Sequence, residues 1–325
     1  MKSLFAAATI VLTLVVLNWG AVQNLAAQPY PDRPISLIGT GDPGAVSDTQ
    51  CRLFAEELGK VLKTPVVVTS KPGAGSTIGA DFVAKSRKNG YTLLYTPASG
   101  VVYAKATSPE TVPYDPVNDL EPLGFHCYFP VAAFVLETSP YKTFNQLIEY
   151  ARKNPGTVRA SVPGQGNIDH FNVEIIMAMT GAQFNVVPFK GGAACLTALL
   201  GGHVDVNFAA VPTAAPYVRA GKQRLLIVSN RVPEFRDVPT ASELGYKQDL
   251  FYPWFALYGP AGIPDEVKKV LIPAIETVVK NPEHQAKLEK LGVTVEYRTP
   301  EELKKLQEND YARARSLAIK LGLGK

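Results

Sequence analysis

The sequence predicts an α/β protein built as two lobes, each a mainly parallel sheet flanked by helices. Short β-branched runs alternate with amphipathic helical stretches, the pattern of βαβ units. A proline-rich connection at 109–122 separates two such series. Glycine-rich loops follow predicted strands and open predicted helices at 41–48, 72–77, 162–170 and 189–193.

Taken in order, 35–38 is a buried strand and 48–63 a helix with apolar residues at 51, 54, 58, 61 and 62. A β-branched strand at 65–68, a helix at 77–87 and a strand at 91–95 complete the first series. The second series has strands at 131–136, 158–162, 184–187, 204–208 and 225–229, with helices at 143–153, 167–180 and 192–200. Beyond Trp254 the chain reads as helical at 265–280, 282–291 and 300–321. The implied first lobe comprises 28–125 and 230–325, and the second 126–229. A cleft between them would be walled by strand C-termini and helix N-termini, where open parallel sheets place ligands.

Residues 1–27 read as a secretory leader. Lys2 supplies a basic start, 4–17 is almost unbroken apolar sequence, and Leu25-Ala26-Ala27 offers small residues for cleavage. No cysteine stands near that site to carry a lipid. No later apolar run reaches the 20 or so residues of a membrane span. The expectation is therefore a soluble, monomeric periplasmic protein. A net charge of +4 is spread without basic clusters, which argues against nucleic acid as a partner. The three cysteines, Cys51, Cys127 and Cys195, permit at most one disulfide, and the apolar surroundings of Cys51 and Cys195 favour buried free thiols.

Catalytic and cofactor signals are weak. Gly73, Gly75 and Gly79 form GxGxxxG rather than the dinucleotide fingerprint, and no loop carries a phosphate-binding GK[ST]. The histidines at 126, 170, 203 and 284 are dispersed without metal-ligand spacing. No nucleophile elbow is present, so a hydrolase would need Ser47, Asp48 and His170 to converge in space. No cofactor, metal or catalytic group is expected. The glycine loops say more. Glycine lets backbone approach a ligand, and first-turn amides at a helix start are unpaired donors at the positive end of the dipole. Such a terminus binds a carboxylate without arginine. Gly44, Ala45, Val46, Ser47 and Asp48 offer one such start, with Ser76 beside it. Gly164, Gly166, Asn167 and His170 offer another, and Gly192 a third. Trp254 either walls the cleft or fills a core.

These residues also carry a resemblance. Tyr30-Pro-Asp-Arg-Pro-Ile-Ser-Leu-Ile38, Lys71-Pro-Gly-Ala-Gly75, Pro113-Tyr-Asp-Pro116, Pro188-Phe-Lys-Gly-Gly192 and Leu199-Leu-Gly-Gly-His-Val-Asp205 resemble the Bug family of periplasmic receptors, in the same order along the chain. The resemblance implies a type II Venus-flytrap fold and a small carboxylate ligand. It also implies delivery to the membrane permease subunits of a tripartite tricarboxylate transporter, or ligand sensing for a membrane kinase. It assigns ligand contacts to 43–48 and 161–170, and adds Thr96 and Ser99 from the third first-lobe loop and Ala209 where the family carries Asp. Gly41 stands where an aromatic is usual, which should enlarge or reshape the cleft. Asp42 and Asp169 should add negative charge near its mouth, favouring an acid whose far end is neutral or cationic.

Overall fold

The computed structural model describes residues 30–323; the proposed leader lies outside the described residues. Eleven strands, among the described residues, form two sheets. The first contains β1 (Ile35–Gly39), β2 (Val66–Ser70), β3 (Thr92–Pro97), β4 (Leu120–Tyr128), β10 (Trp254–Pro260) and β11 (Thr294–Arg298), in the order β11-β4-β10-β3-β1-β2. The second contains β5 (Val131–Leu136), β6 (Val158–Val162), β7 (Phe184–Pro188), β8 (Val206–Ala210) and β9 (Gln223–Val228), in the order β7-β6-β8-β5-β9. The chain crosses between sheets at Phe129–Pro130 and returns through 229–253.

The two-lobed α/β fold is as the sequence reads, but pairing within each sheet is mixed. β1 is parallel to β2 and β3, while β10 runs antiparallel to β3 and β4, and β11 antiparallel to β4. In the second sheet β6 is parallel to β7 and β8, and β5 is antiparallel to β8 and β9. The returning chain inserts β10 between β3 and β4, which a simple βαβ series does not provide. β4 also occupies part of the proline-rich connection. Its Pro122 lies opposite Tyr258 beside a register irregularity, a place where a missing amide is tolerated.

Ten α-helices cover these sheets among the described residues: α1 (Val46–Leu62), α2 (Thr77–Ala84), α3 (Tyr103–Thr107), α4 (Phe144–Lys153), α5 (Ile168–Thr180), α6 (Gly192–Leu200), α7 (Val211–Arg219), α8 (Asp265–Val279), α9 (Pro282–Glu289) and α10 (Pro300–Lys320). Their apolar stripes decide their docking. Cys51, Phe54 and Leu58 of α1 join Leu271, Ile275 and Val278 of α8 over one face of the first sheet. α10 opens on a capping box, Thr299 with Glu302, preceded at its first helical position by Pro300, whose missing amide costs nothing there.

A single apolar cluster runs from Ile38 and Leu94 of the first sheet to Phe171 and Phe208 of the second lobe. At its waist Tyr103, Phe171 and Phe251 pack ring against ring. Burying one such ring stabilises by about 1.5–3 kcal/mol. The crossings are bonded to each other through the Phe129 amide and the Pro253 carbonyl, 3.0 Å apart. All three cysteines are buried free thiols.

Candidate functional site

The parallel strands of both sheets end on glycine loops, and each loop is held differently. Before α1, Asp48 folds back to accept from the Gly44 amide (3.1 Å), Arg52 Nε (2.9 Å) and the Ser70 hydroxyl (3.3 Å). The bond from Arg52, with these others, holds the Asp48 carboxyl below the usual carboxylate range. Asp48 therefore fastens the loop within its own lobe through its side chain. The residue before the helix, Ala45, has no side chain to cap it, so the first-turn amides of Val46, Ser47 and Asp48 lack an intrahelical acceptor. Gly41 packs against the start of α1. A Cβ there would meet Ser47 Oγ at 2.2 Å, so the space is already occupied.

The next loop is strained. Gly73, Ala74, Gly75 and Ser76 all have positive φ (115°, 48°, 65° and 77°). For Ala74 and Ser76 this costs about 1–2 kcal/mol each. Strain of this kind persists where the surroundings enforce it and gathers at ligand clamps. Ser99 Oγ lies 3.4 Å from Ser76 Oγ, joining the second and third loops. Thr96 lies beneath these loops. It is fully buried and bonded to Thr40 and the Pro97 carbonyl.

In the second lobe, Asn167 caps α5 by accepting from the His170 amide at 2.9 Å. His170 is turned onto its own loop, with Nδ1 accepting from the Gly166 amide at 2.9 Å. That bond requires an unprotonated Nδ1, and burial lowers the tendency of the ring to charge. His170 thus positions its own loop through Nδ1. The Ile168 and Asp169 amides remain without intrahelical acceptors. Gly166 must be glycine on two counts: its φ is 72°, and a Cβ would meet Leu323 Cδ1 at 2.8 Å. Gly191 precedes α6 with φ of 86° and no capping side chain, leaving the start at Gly192 uncapped and partly open.

A cavity of about 310 Å³ lies between the lobes, bounded by Gly75, Ser99 and Tyr103 on one side and Gly166, Asn167 and Ile168 on the other. It brings together Ser99, Gly166 and Asn167 of the sequence candidates. The 44–48 loop, Ser76, Gly164 and Gly192 stand at sheet edges outside its lining. Ala209 packs within the second-lobe core, and Trp254 is fully buried with Nε1 bonded to Asp310 (3.0 Å). Both occupy core positions. Larger hollows of about 490 and 370 Å³ join no pair of glycine loops: one abuts the already capped start of α4, the other the Arg219–Glu234 ion pair.

Asp169 departs most from its expected place. It is 8 % exposed, and burial pushes its carboxyl up to about 7, so it is only partly charged near neutral pH. Tyr103, also 8 % exposed, had no sequence signal, because a five-residue helix shows no readable period.

Residues 50–323 match the pattern of the tripartite tricarboxylate transporter family receptor. The chain belongs to this family. It is 33% identical to Protein BugT of Bordetella pertussis strain Tohama I over 262 residues, 79% of each chain. Among solved structures, a TctC solute-binding protein from Polaromonas, without ligand, superposes with a TM-score of 0.83 at 26% identity, covering 90% of this chain and 99% of that one. An R. palustris protein with adipate gives 0.71, also at 26% identity, over 91% and 99%. The family match carries the fold, that of solute-binding receptors, and leaves the ligand to be argued from the loops.

Proposed function

We propose that this protein is a monomeric periplasmic receptor that captures a small organic acid between its lobes and hands it, chemically unchanged, to the permease of a tripartite tricarboxylate-type transporter. The observation that carries this reading is a pair of helix starts whose first-turn amides have no intrahelical acceptors: that of α1 at the edge of the first sheet, and that of α5 bordering a cavity shared by both lobes. Such amides hold a carboxylate by hydrogen bonding and dipole alignment, and release it without passing through a covalent state. The adipate carried by a relative supports the ligand class.

The lobes supply the second half of the cycle. An open arrangement of the lobes closes on its ligand by hinge motion. A ligand that touches both helix starts only in the closed form shifts that equilibrium by its differential affinity. The test is mass spectrometry of material co-purifying with the protein, followed by thermal-shift titration with a panel of carboxylates. An acid recovered intact and raising Tm supports the receptor. Silence of every carboxylate at millimolar concentration, or recovery of a hydrolysed product, refutes it.

A further inference from the structure

One side of the first lobe presents apolar side chains to solvent. β2 is the edge strand of its sheet, paired with β1 alone. Val66 and Val68 pack inward against the cluster that holds α1, so alternation sends Val67 to the opposite face, where it is 53 % exposed. α2 covers that same face through Ala80 and Val83, which join Ile38 and Leu94 in the core. Its Ile78 and Phe82, one turn apart, are left 52 % and 46 % exposed. Lys71, just past β2, holds its ammonium 4.2 Å from the Phe82 ring centre and so joins strand and helix into one surface. Tyr150, Leu200 and Ile319, also exposed, stand singly on α4, α6 and α10. Pro65 and the Lys71-Pro72 pair bound β2 at its two ends, which hinders strand addition and leaves the side chains as the means of contact.

The charge on this face is one-sided. Residues 60–90 carry six Lys or Arg, at 60, 63, 71, 85, 87 and 88, and one acid, Asp81, which pairs with Lys85. Apolar side chains within a basic rim fit a partner surface that is itself apolar and acidic. The face also reaches the ligand loops. Ile78 Cδ1 lies 2.8 Å from where a Cβ on Gly73 would stand, and Gly73 opens the strained stretch whose Gly75 borders the cavity between the lobes. Resting on the receptor reading above, we propose that the β2–α2 face docks the permease, through a periplasmic segment of that protein bearing acidic and apolar side chains. Ile78 and Phe82 are the anchors buried on docking, and Lys71 and Arg87 supply the charges that set orientation and speed encounter.

The test is biolayer interferometry of the purified receptor against the permease subunits held in nanodiscs, with empty nanodiscs as the blank. The double variants Ile78→Ser/Phe82→Ser and Lys71→Glu/Arg87→Glu are compared with Ile319→Ser, which changes an exposed apolar residue elsewhere. The expected result is binding weakened about tenfold or more in both double variants and unchanged in Ile319→Ser. Wild-type binding should also weaken as salt rises from about 50 to 300 mM, and that of the charge-reversed variant should not. The charge-reversed variant trims no apolar side chain, so it decides the matter should the serine variant fold poorly. Both double variants binding within about twofold of wild type, or wild type binding equally to empty nanodiscs, overturns the docking face. Neither result touches carboxylate capture, which thermal shift reads on the receptor alone. A wild-type receptor whose Tm rises with an acid but which does not bind the permease overturns the docking face and the delivery step together.

Discussion

Histidines and one aspartate place opposing pH dependences on this molecule. His126 Nε2 and His284 Nε2 lie 2.8 Å apart, and His126 Nδ1 lies 2.9 Å from the Tyr95 hydroxyl, all in the first-lobe core. Burial lowers both rings, His284 to about 4. The unfolded chain therefore takes up protons that the folded chain refuses. Stability is full above the ordinary imidazole value of about 6.5 and falls with pH toward 4, by about 3 kcal/mol for His284 alone. Asp169 acts oppositely. Its raised value makes the folded chain hold a proton the unfolded one releases, so stability declines as pH rises from about 4 through 7. Denaturant titrations across pH 4–8 should show Asp169→Asn gaining up to about 4 kcal/mol at pH 8 and His284→Gln losing part of the acid slope. Equal slopes in wild type and both variants would contradict these assignments. The glycines and the Asn167 cap were readable from sequence because backbone geometry dictates residue type there. The side chains of Asp48, Thr96, His170 and Trp254 bond within their own lobe, and only the fold sets that direction.

At the scale of elements, α5 connects the candidate site to the hinge. Asn172 on this helix donates through Nδ2 to the Phe251 carbonyl (2.9 Å) and accepts at Oδ1 from the Phe251 amide (2.7 Å). A single buried side chain thereby satisfies both backbone groups of a residue in the returning crossing. Asn172→Ala should cost about 2–4 kcal/mol in urea unfolding, since each orphaned group carries a desolvation penalty of about 1–3 kcal/mol. A change below about 0.5 kcal/mol would show the bonds to be replaceable by water. Most helices were legible from their 3.6-residue period. β11 was not: its Thr-Val-Glu-Tyr-Arg run alternates, but it is only five residues long, half-buried throughout at a sheet edge and set between two helices. β10 was legible as an apolar stretch, but nothing local announces that it inserts antiparallel between strands formed far earlier in the chain.

The whole molecule is two sheets sharing a waist of aromatic rings, with the ligand loops at the facing edges. Besides the hinge, the lobes touch where Gly292 meets Pro212: a Cβ on Gly292 would come within 2.6 Å of the proline ring. The contact joins the turn before β11 to the start of α7, so lobe approach depends on the absence of a side chain there. No described helix is long and apolar enough to cross a membrane. Everything else in the account follows from where the acid group binds. The most direct measurement is a crystal structure of the protein with its co-purified or soaked carboxylate. The account predicts carboxylate oxygens within about 3 Å of amides at both 46–48 and 168–169, with the lobes closed over them. A carboxylate ordered instead beside the basic side chains of Arg219 and Lys290, with both helix starts bare, would contradict it.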